Sequence, residues 1–496
     1  MKNKWNKNNN SKNSKLNKNK INKKTLKNKN KKKISKGGKV LASGGFGCVF
    51  TPALRCENKK TRKRNGVSKL MTTNHAIKEY NEIVQIKEKL KTIKKYTDYF
   101  LVNDISICKP ALLTKSDLID FTQKCTALQK DDKITSKNIN DSLDKMMILN
   151  MKNGGLPVDD FIFIAEHFSD LYELNHSLIS LLKNGIIEMN KKNIYHCDIK
   201  DSNILVEKKQ NSLKTRLIDW GLATVYVPFH NNPFPNTWIN RPLQYNVPFS
   251  VIIFTDVFIE KYTKYTNDGL NKKEEEGLSA FVSDYLDYWI DERGMGHLKL
   301  MDQIIHILLD QEKRGQGHGE GDGHGEGEEE ERKETSISQI TMDYITKYIV
   351  NILIHFTIFR EDGAWTLNMR EYLDHVFIDN VDVWGFVSTY LAFLESLHEN
   401  KDELEKPLID CFDIIRNLFM FIYLPSSSHI PIDKKVIFNY LNHLSDLYKI
   451  EASRTNTTKN KDQLSMTKSV SIRSKGITGE TFVPTIFNSN RSNKIK

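Results

Sequence analysis

Residues 195–205 read Tyr195-His196-Cys197-Asp198-Ile199-Lys200-Asp201-Ser202-Asn203-Ile204-Leu205, and beyond a polar turn the chain continues Leu217-Ile218-Asp219-Trp220-Gly221-Leu222-Ala223. An Asp, a Lys two residues later and an Asn five residues later lie in a loop between apolar segments. A second Asp, with Gly two residues on, follows after a hairpin's length. The set brings together two carboxylates, an ammonium group and an amide. Such a set can hold a hydroxyl and a metal-bound triphosphate at once.

Working outward, Ala42-Ser43-Gly44-Gly45-Phe46-Gly47-Cys48-Val49 is flanked by Val40, Val49 and Phe50, which predicts two strands joined by a tight turn. Glycines there let backbone N–H groups approach a phosphate chain with no Cβ in the way. Read alone, the segment is a glycine-rich hairpin. Val67-Ser68-Lys69-Leu70 places Lys69 in an apolar, strand-like setting, where a Lys commonly snorkels to water. From Asn74 to Ile93, apolar residues at Ala76, Tyr80, Ile83, Ile86, Leu90 and Ile93 recur at three or four and predict a helix. Lys145–Leu149 reads as a short strand closed by Asn153-Gly154-Gly155-Leu156-Pro157, and Leu178–Lys191 as a helix. Ile204–Val206 and Arg216–Ile218 read as strands around the polar turn. Val383–Leu394 and Leu408–Tyr423 read as apolar helices. Strands with one helix precede a mostly helical half, so the expected class is α+β, in two parts.

At 496 residues, the chain has room for two to four structural units. Hydrophobic residues are 39% and charged residues 27%, against typical values of about 45–50% and 25%, so a globular chain carries some polar segments. The charge of +12 is misleading. Residues 1–36 hold fifteen Lys and no acid, and residues 451–496 hold nine Lys/Arg against three Asp/Glu. These tails carry +15 and +6, which leaves 37–450 at −9. An acidic core with basic tails argues against a basic nucleic-acid-binding fold, although the tails themselves suit acidic surfaces or nucleic acid. Residues 1–36 and 451–496 are expected to be disordered, and 315–334, with Gly at alternate positions, a flexible acidic loop. His318 and His324 in that loop read as part of a solvated linker.

The six cysteines (Cys48, Cys56, Cys108, Cys125, Cys197, Cys411) form no C-x-x-C pair, so a structural zinc site is not expected. They are also too few and too scattered for a disulfide framework, and Cys56, Cys108 and Cys125 read as small buried hydrophobes rather than a metal site. The N-terminus has no apolar signal region. Val247–Glu260 and Tyr348–Phe359 fall short of the ~20 residues of a membrane span. A soluble chain in a reducing compartment is the expectation.

The Gly-rich loop, the strand Lys, the H-x-D-x-K-x-x-N loop and the D-x-G, in that order, resemble the protein kinase family. More narrowly, the chain resembles the divergent serine/threonine kinase-like proteins of large DNA viruses. The Asn/Lys-rich tail and Trp238-Ile239-Asn240-Arg241-Pro242-Leu243-Gln244-Tyr245-Asn246-Val247-Pro248-Phe249-Ser250 are similar to the giant-virus branch. The resemblance spans Gly37 to Tyr448. It implies a two-lobe kinase-like fold with a small β-rich N-lobe over 37–155 and a mainly helical C-lobe over 156–450. It also implies large insertions near 106–144 and 255–375. ATP and Mg²⁺ (Mn²⁺ as an alternative) would be the cofactors, and Ser/Thr hydroxyls of protein substrates the acceptors. Host cytoplasm or virion would be the location.

Carried over, Asp198 would be the catalytic base and Lys200 would neutralise the γ-phosphate. Asn203 and Asp219 would hold the metal. Ala42, Gly44, Gly45, Gly47 and Val49 would cover the nucleotide. Lys69 would bind its phosphates, positioned by Glu79, which is preferred to Glu82 because Ile83 and Ile86 set it beside the buried stripe. Met146–Lys152 would line the adenine, and Asp382 in Val381-Asp382-Val383-Trp384-Gly385-Phe386 would anchor the catalytic loop.

Four departures from the family pattern stand out. Ala42 replaces the first loop glycine, Trp220 replaces Phe, and Asn246-Val247-Pro248-Phe249 replaces the A-P-E ending. Cys197 replaces the Arg that would pair with a phosphorylated segment. Two other readings compete: a pseudokinase scaffold, disfavoured because Lys69, Asp198 and Asp219 are present, and a kinase-fold enzyme acting on a small molecule or lipid, disfavoured by Lys200. With no cation at position 197, a phosphate on 224–245 lacks its usual partner. Phosphatase treatment is therefore expected to leave phosphate transfer within about twofold. A large loss on dephosphorylation would refute this.

Overall fold

The computed structural model describes residues 38–457 apart from 64, 131–132, 210–211, 231–232, 236, 268–273, 310–336, 360–364 and 400–403. The expectations for residues 1–36, for the loop 315–334 and for the tail after Thr457 lie outside the described residues.

Alternating and apolar runs at the start of the described chain build one antiparallel sheet. Strands β1 (Lys39–Ser43), β2 (Gly47–Thr51), β3 (Gly66–Thr72), β4 (Ser106–Cys108) and β5 (Met146–Lys152) are ordered β1-β2-β3-β5-β4. Helix α1 (Thr73–Leu90) follows β3 and buries Ala76, Ile83, Ile86 and Leu90, the stripe expected from its period. Both faces of the central strands are covered, which is why Met146–Leu149 reads as an unbroken apolar run. Met71 and Leu149 join the main core with α1. Leu70, Met146 and Ile148, one position off, join a second core with Val40, Phe50, Leu113, Phe121 and Leu128.

That second core is built by the segment expected to be an insertion near 106–144. Its first residues, Ser106–Cys108, pair with β5 as the edge strand of the sheet. The remainder carries the short helices α2 (Phe121–Lys124) and α3 (Thr126–Lys130). Buried Asp117 accepts from both terminal nitrogens of Arg62, at 2.7 and 2.6 Å, and from the Gly38 N–H at 2.7 Å. Two disulfides, Cys48–Cys125 and Cys56–Cys108, join the segment to the sheet and to the β2–β3 connection. This corrects the reading of these cysteines as unpaired hydrophobes. Positions 77 and 52 residues apart were not suggestive in sequence, but the returning segment sets their Cα atoms 5.4 and 5.8 Å apart. Thiol usage therefore no longer argues for a reducing compartment.

The rest of the chain is mainly helical. A three-stranded sheet of β6 (Leu156–Pro157), β8 (Ile204–Lys209) and β9 (Ser212–Leu217) and the pair β7 (Ile194–Tyr195)–β10 (Thr224–Val225) line its upper edge. Helices α4 (Val158–Ile164) and α5 (Phe168–Leu181) follow β6. The α5 helix starts ten residues before the expected Leu178 and continues through a π-bulge at Leu182–Ile186 into α6 (Ile187–Asn190). Helices α7 (Asp256–Asn267), α8 (Glu275–Arg293), α9 (Leu298–Leu308) and α10 (Gln339–Phe356) come next, then the hairpin β11 (Thr357–Phe359)–β12 (Trp365–Leu367). A short helix α11 (Met369–Tyr372) passes through a second π-bulge, Leu373–Phe377, into α12 (Ile378–Ser388). The helix expected at Val383–Leu394 breaks at Thr389–Tyr390, where α13 (Leu391–Glu399) begins. Last come α14 (Lys406–Tyr423) and α15 (Lys434–Thr457). The α15 helix passes the expected onset of disorder at 451 by seven residues. It packs on α5, where buried Asn175 donates to the Leu441 carbonyl at 2.8 Å and to Ser445 Oγ at 2.7 Å. Among the described residues, no helix is long and apolar enough to cross a membrane.

Each disulfide closes a long loop and is worth about 2–4 kcal/mol against unfolding. Dithiothreitol is expected to lower the denaturation midpoint, with Cys48→Ser giving a partial shift. A fully reduced chain with an unchanged midpoint would refute the staple.

Candidate functional site

The glycine cluster forms the β1–β2 turn, closed by the Gly44 N–H donating to the Gly47 carbonyl at 2.8 Å. Gly47 is needed for close approach: a Cβ there would stand 2.3 Å from the Leu70 carbonyl oxygen. Ala42 sits at a register shift in β1 opposite Val49, and Val49 pairs with Lys69 on β3. The turn leans over the Lys69 side chain, whose Cε and Nζ lie 3.6 and 4.0 Å from where a Gly44 Cβ would be. Ser43 Oγ accepts from the Ala127 N–H at 3.0 Å, so the segment behind the sheet also grips the turn.

Lys69 Nζ donates to both carboxylate oxygens of Glu79 on α1, at 2.9 and 2.8 Å. Glu82, one turn on, lies 3.9 Å from Lys78 instead. Burial pulls the Lys69 ammonium down, but Glu79 and then Asp219 outweigh it and hold the group well above its ordinary value. Burial pushes Glu79 up, against the Lys69 charge. The Asp219 carboxylate thus faces the same cation as Glu79 does.

Below, the 195–205 loop hangs on Asp382 of α12. Its Oδ2 accepts from the His196 N–H at 2.9 Å and Asn190 Nδ2 at 2.7 Å, and its Oδ1 from the Cys197 N–H at 2.8 Å. The α12 helix comes this close because Gly385 has no side chain; a Cβ there would meet the Ile199 carbonyl at 2.6 Å. Held so, Cys197 adopts a φ of 61°, a left-handed conformation that a Cys adopts only under constraint. Asp198 follows, 5% exposed. Its Oδ2 accepts from Asn203 Nδ2 at 2.9 Å, and Lys200 Nζ stands 3.3 and 3.2 Å from its two oxygens.

Asp219 is left-handed too, at a φ of 62°. It is fixed through its neighbour: the Ile218 N–H donates to the Asn203 carbonyl at 3.0 Å, and His196 Nε2 donates to the Ile218 carbonyl at 3.0 Å. Trp220 next to it is buried, edge-on to Phe100 and His196. Asn203 and Asp219 are thereby brought side by side. The Asn203 amide nitrogen is committed to the Asp198 carbonyl (2.8 Å) and carboxylate, which turns its carbonyl oxygen outward. No hydrogen bond from the described residues reaches that oxygen or the Asp219 carboxylate. A carboxylate and an amide oxygen free in this way suit a hard divalent cation.

Two residues of this site escaped the sequence reading. Asn246, fully buried, donates from Nδ2 to Asp198 Oδ1 at 2.8 Å and to the Ile199 carbonyl at 3.3 Å. Arg241, also buried, donates from Nη1 to the Cys197 carbonyl at 2.8 Å. Burial alone would raise the Asp198 carboxyl; Lys200, Arg241 and the Asn246 hydrogen bond together hold it below its ordinary value. The available signal was a polar residue inside an apolar run at Leu243–Phe254 and a cation inside Trp238–Leu243. The site thus presents an ionised, acceptor-ready carboxylate beside an ammonium group, below a second cation under a glycine turn. No protein-family model matches the chain, and no curated protein matches it.

Asp382→Ala would leave buried N–H donors without an acceptor, at about 1–3 kcal/mol for each group. Urea unfolding is expected to show a loss of about 2–4 kcal/mol. A loss below half a unit would show that water takes over the role.

Proposed function

We propose that the chain is an ATP-dependent protein kinase of the serine/threonine type, with the two-lobe kinase fold. The observation that carries this reading is that two constellations meet at Asp219. The Lys69–Glu79 ion pair, lying under the glycine turn, faces Asp219, and Asp198 accepts from both Lys200 and Asn203 below it. A structural ion pair alone would not require the turn, the left-handed Asp219 and the ionised Asp198 together.

Lys69 binds the inner phosphates of the nucleotide, and Glu79 keeps its ammonium from swinging to water. Backbone N–H groups of Gly44–Gly47 lie over the outer phosphates. Asn203 and Asp219 would hold Mg²⁺, which when bound offsets the negative charge of the phosphate chain. Asp198 orients the acceptor hydroxyl and takes its proton as the new O–P bond forms. The bond from the γ-phosphorus to its bridging oxygen breaks, and ADP leaves with that electron pair. Lys200 sits where the γ-phosphoryl oxygens gain charge. Positioning and charge placement do the work, with no covalent intermediate on the protein.

The test is γ-phosphate transfer by purified chain with Mg²⁺-ATP and a basic protein acceptor. Asp198→Asn is expected to reduce kcat by about 10²-fold or more with nucleotide binding retained. Equal transfer by both proteins would sink the assignment, and phosphate found only on a small molecule or lipid would move the reading to that class.

A further inference from the structure

The helical elements between Asp256 and Phe377 stand where the kinase reading has room to spare, and they converge on the segment that follows Asp219. Tyr226, 2% exposed, donates its hydroxyl to Asp374 Oδ1 at 2.5 Å and accepts from Arg370 Nη1 at 2.6 Å. The Phe229 N–H donates to the other Asp374 oxygen at 2.8 Å. One carboxylate, itself buried, thereby fixes two points of the segment. Phe229 takes a φ of 62° as it turns toward this acceptor. Asp374 projects from the π-bulge between α11 and α12, the kind of irregularity that re-aims a side chain. The Arg370 guanidinium also lies 4.8 Å from the Phe234 ring. Burial and the Asp374 hydrogen bond push the Tyr226 hydroxyl up to about 12, so it stays a donor at any working pH.

The same fastening runs down to Asp198. β10 pairs with β7 just before the 195–205 loop, and the Tyr226 N–H donates to the Asn193 carbonyl at 3.0 Å. Trp238 Nε1 donates to Cys197 Sγ at 3.0 Å, at the position where the family's phosphate-binding cation would stand. From α8, Trp289 Nε1 donates to the Arg241 carbonyl at 3.1 Å and Arg293 to Asn240 Oδ1 at 2.8 Å. Arg241 in turn holds the Cys197 carbonyl.

We propose that Asp374 is a positioning residue that fixes the segment after Asp219 through Tyr226 and the Phe229 amide, the task an activating phosphate would otherwise perform. This rests on the kinase reading above. A carboxylate built into the chain is in place as soon as the chain has folded, so the segment is set by folding rather than by modification. A phosphate added to Tyr226 would meet Asp374 at contact distance and work against the arrangement.

The experiment compares phosphatase-treated full-length chain with Asp374→Ala, Asp374→Asn, Tyr226→Phe and the Tyr226→Phe/Asp374→Ala pair. Asp374→Ala is expected to lower kcat by about tenfold or more, with KM for ATP within about twofold. Tyr226→Phe should lose less, Asp374→Asn should recover part of the loss, and the double variant should be no worse than Asp374→Ala. Additive losses, or a rise in KM for ATP with kcat unchanged, would overturn the proposal. Hydrogen exchange separates this from a failure of the kinase reading. If no acceptor is phosphorylated, the Tyr226–Phe229 amides must still exchange at least about tenfold faster in Tyr226→Phe or Asp374→Ala, relative to β8. Unchanged exchange in both overturns the proposal whatever the activity.

Discussion

The carboxylate of Asp382 is the constraint on which the lower half of the site depends. It takes the backbone donors of two consecutive residues, His196 and Cys197, and so dictates the direction in which the chain leaves them. With those two amides fixed, Cys197 turns left-handed, and Asp198 is set with its oxygens toward Lys200, Asn203 and Asn246. A buried, paired carboxylate is costly to desolvate, so it supports a fold only when its acceptor positions are filled. Here three donors fill them.

The upper half rests on a different balance. Lys69 and Glu79 are each nearly removed from water, and burial works against the charged form of both. The charge of each opposes that effect on the other, with Asp219 adding to the Lys69 side and opposing the Glu79 side. The pair therefore answers to what happens at Asp219. A cation placed between Asn203 and Asp219 would relieve Glu79 of a like-charged neighbour, so the two halves communicate through charge as well as through the Ile218–Asn203 backbone bond.

What could be read in the sequence was whatever short-range spacing determines. The α1 stripe, the glycine turn, the 195–205 loop and the hairpin of β8 and β9 are local, and each has a periodicity or turn chemistry of its own. Glu79 was separable from Glu82 because the helical period puts it beside Ile83 and Ile86. Long-range closure was not readable. Nothing near Cys48 indicates Cys125, and Ser106–Cys108 is too short to announce itself as an edge strand. Asn246 and Arg241 act on Asp198 from 48 and 43 positions away, through side chains that look like ordinary loop polar groups. The break in the expected 383–394 helix is no more legible: Thr389 and Tyr390 are compatible with a helix, and the partner of Tyr390 there is the distant Asn175.

The contact between Asn175 and α15 bears on the order in which the molecule is made. Asn175 on α5 finds two of its partners at Leu441 and Ser445, 266 and 270 residues downstream, and its third at Tyr390. A chain emerging from the ribosome exposes α5 long before those partners exist. The sheet, whose pairings all lie within residues 39–152, can close while synthesis continues, but the groove along α5 stays open until α15 arrives. At roughly 5–20 residues per second the delay is on the order of ten seconds or more, a period in which an apolar helix face is uncovered. Among the described helices α15 is the last to be made, and the partners that cover Asn175 arrive only with it.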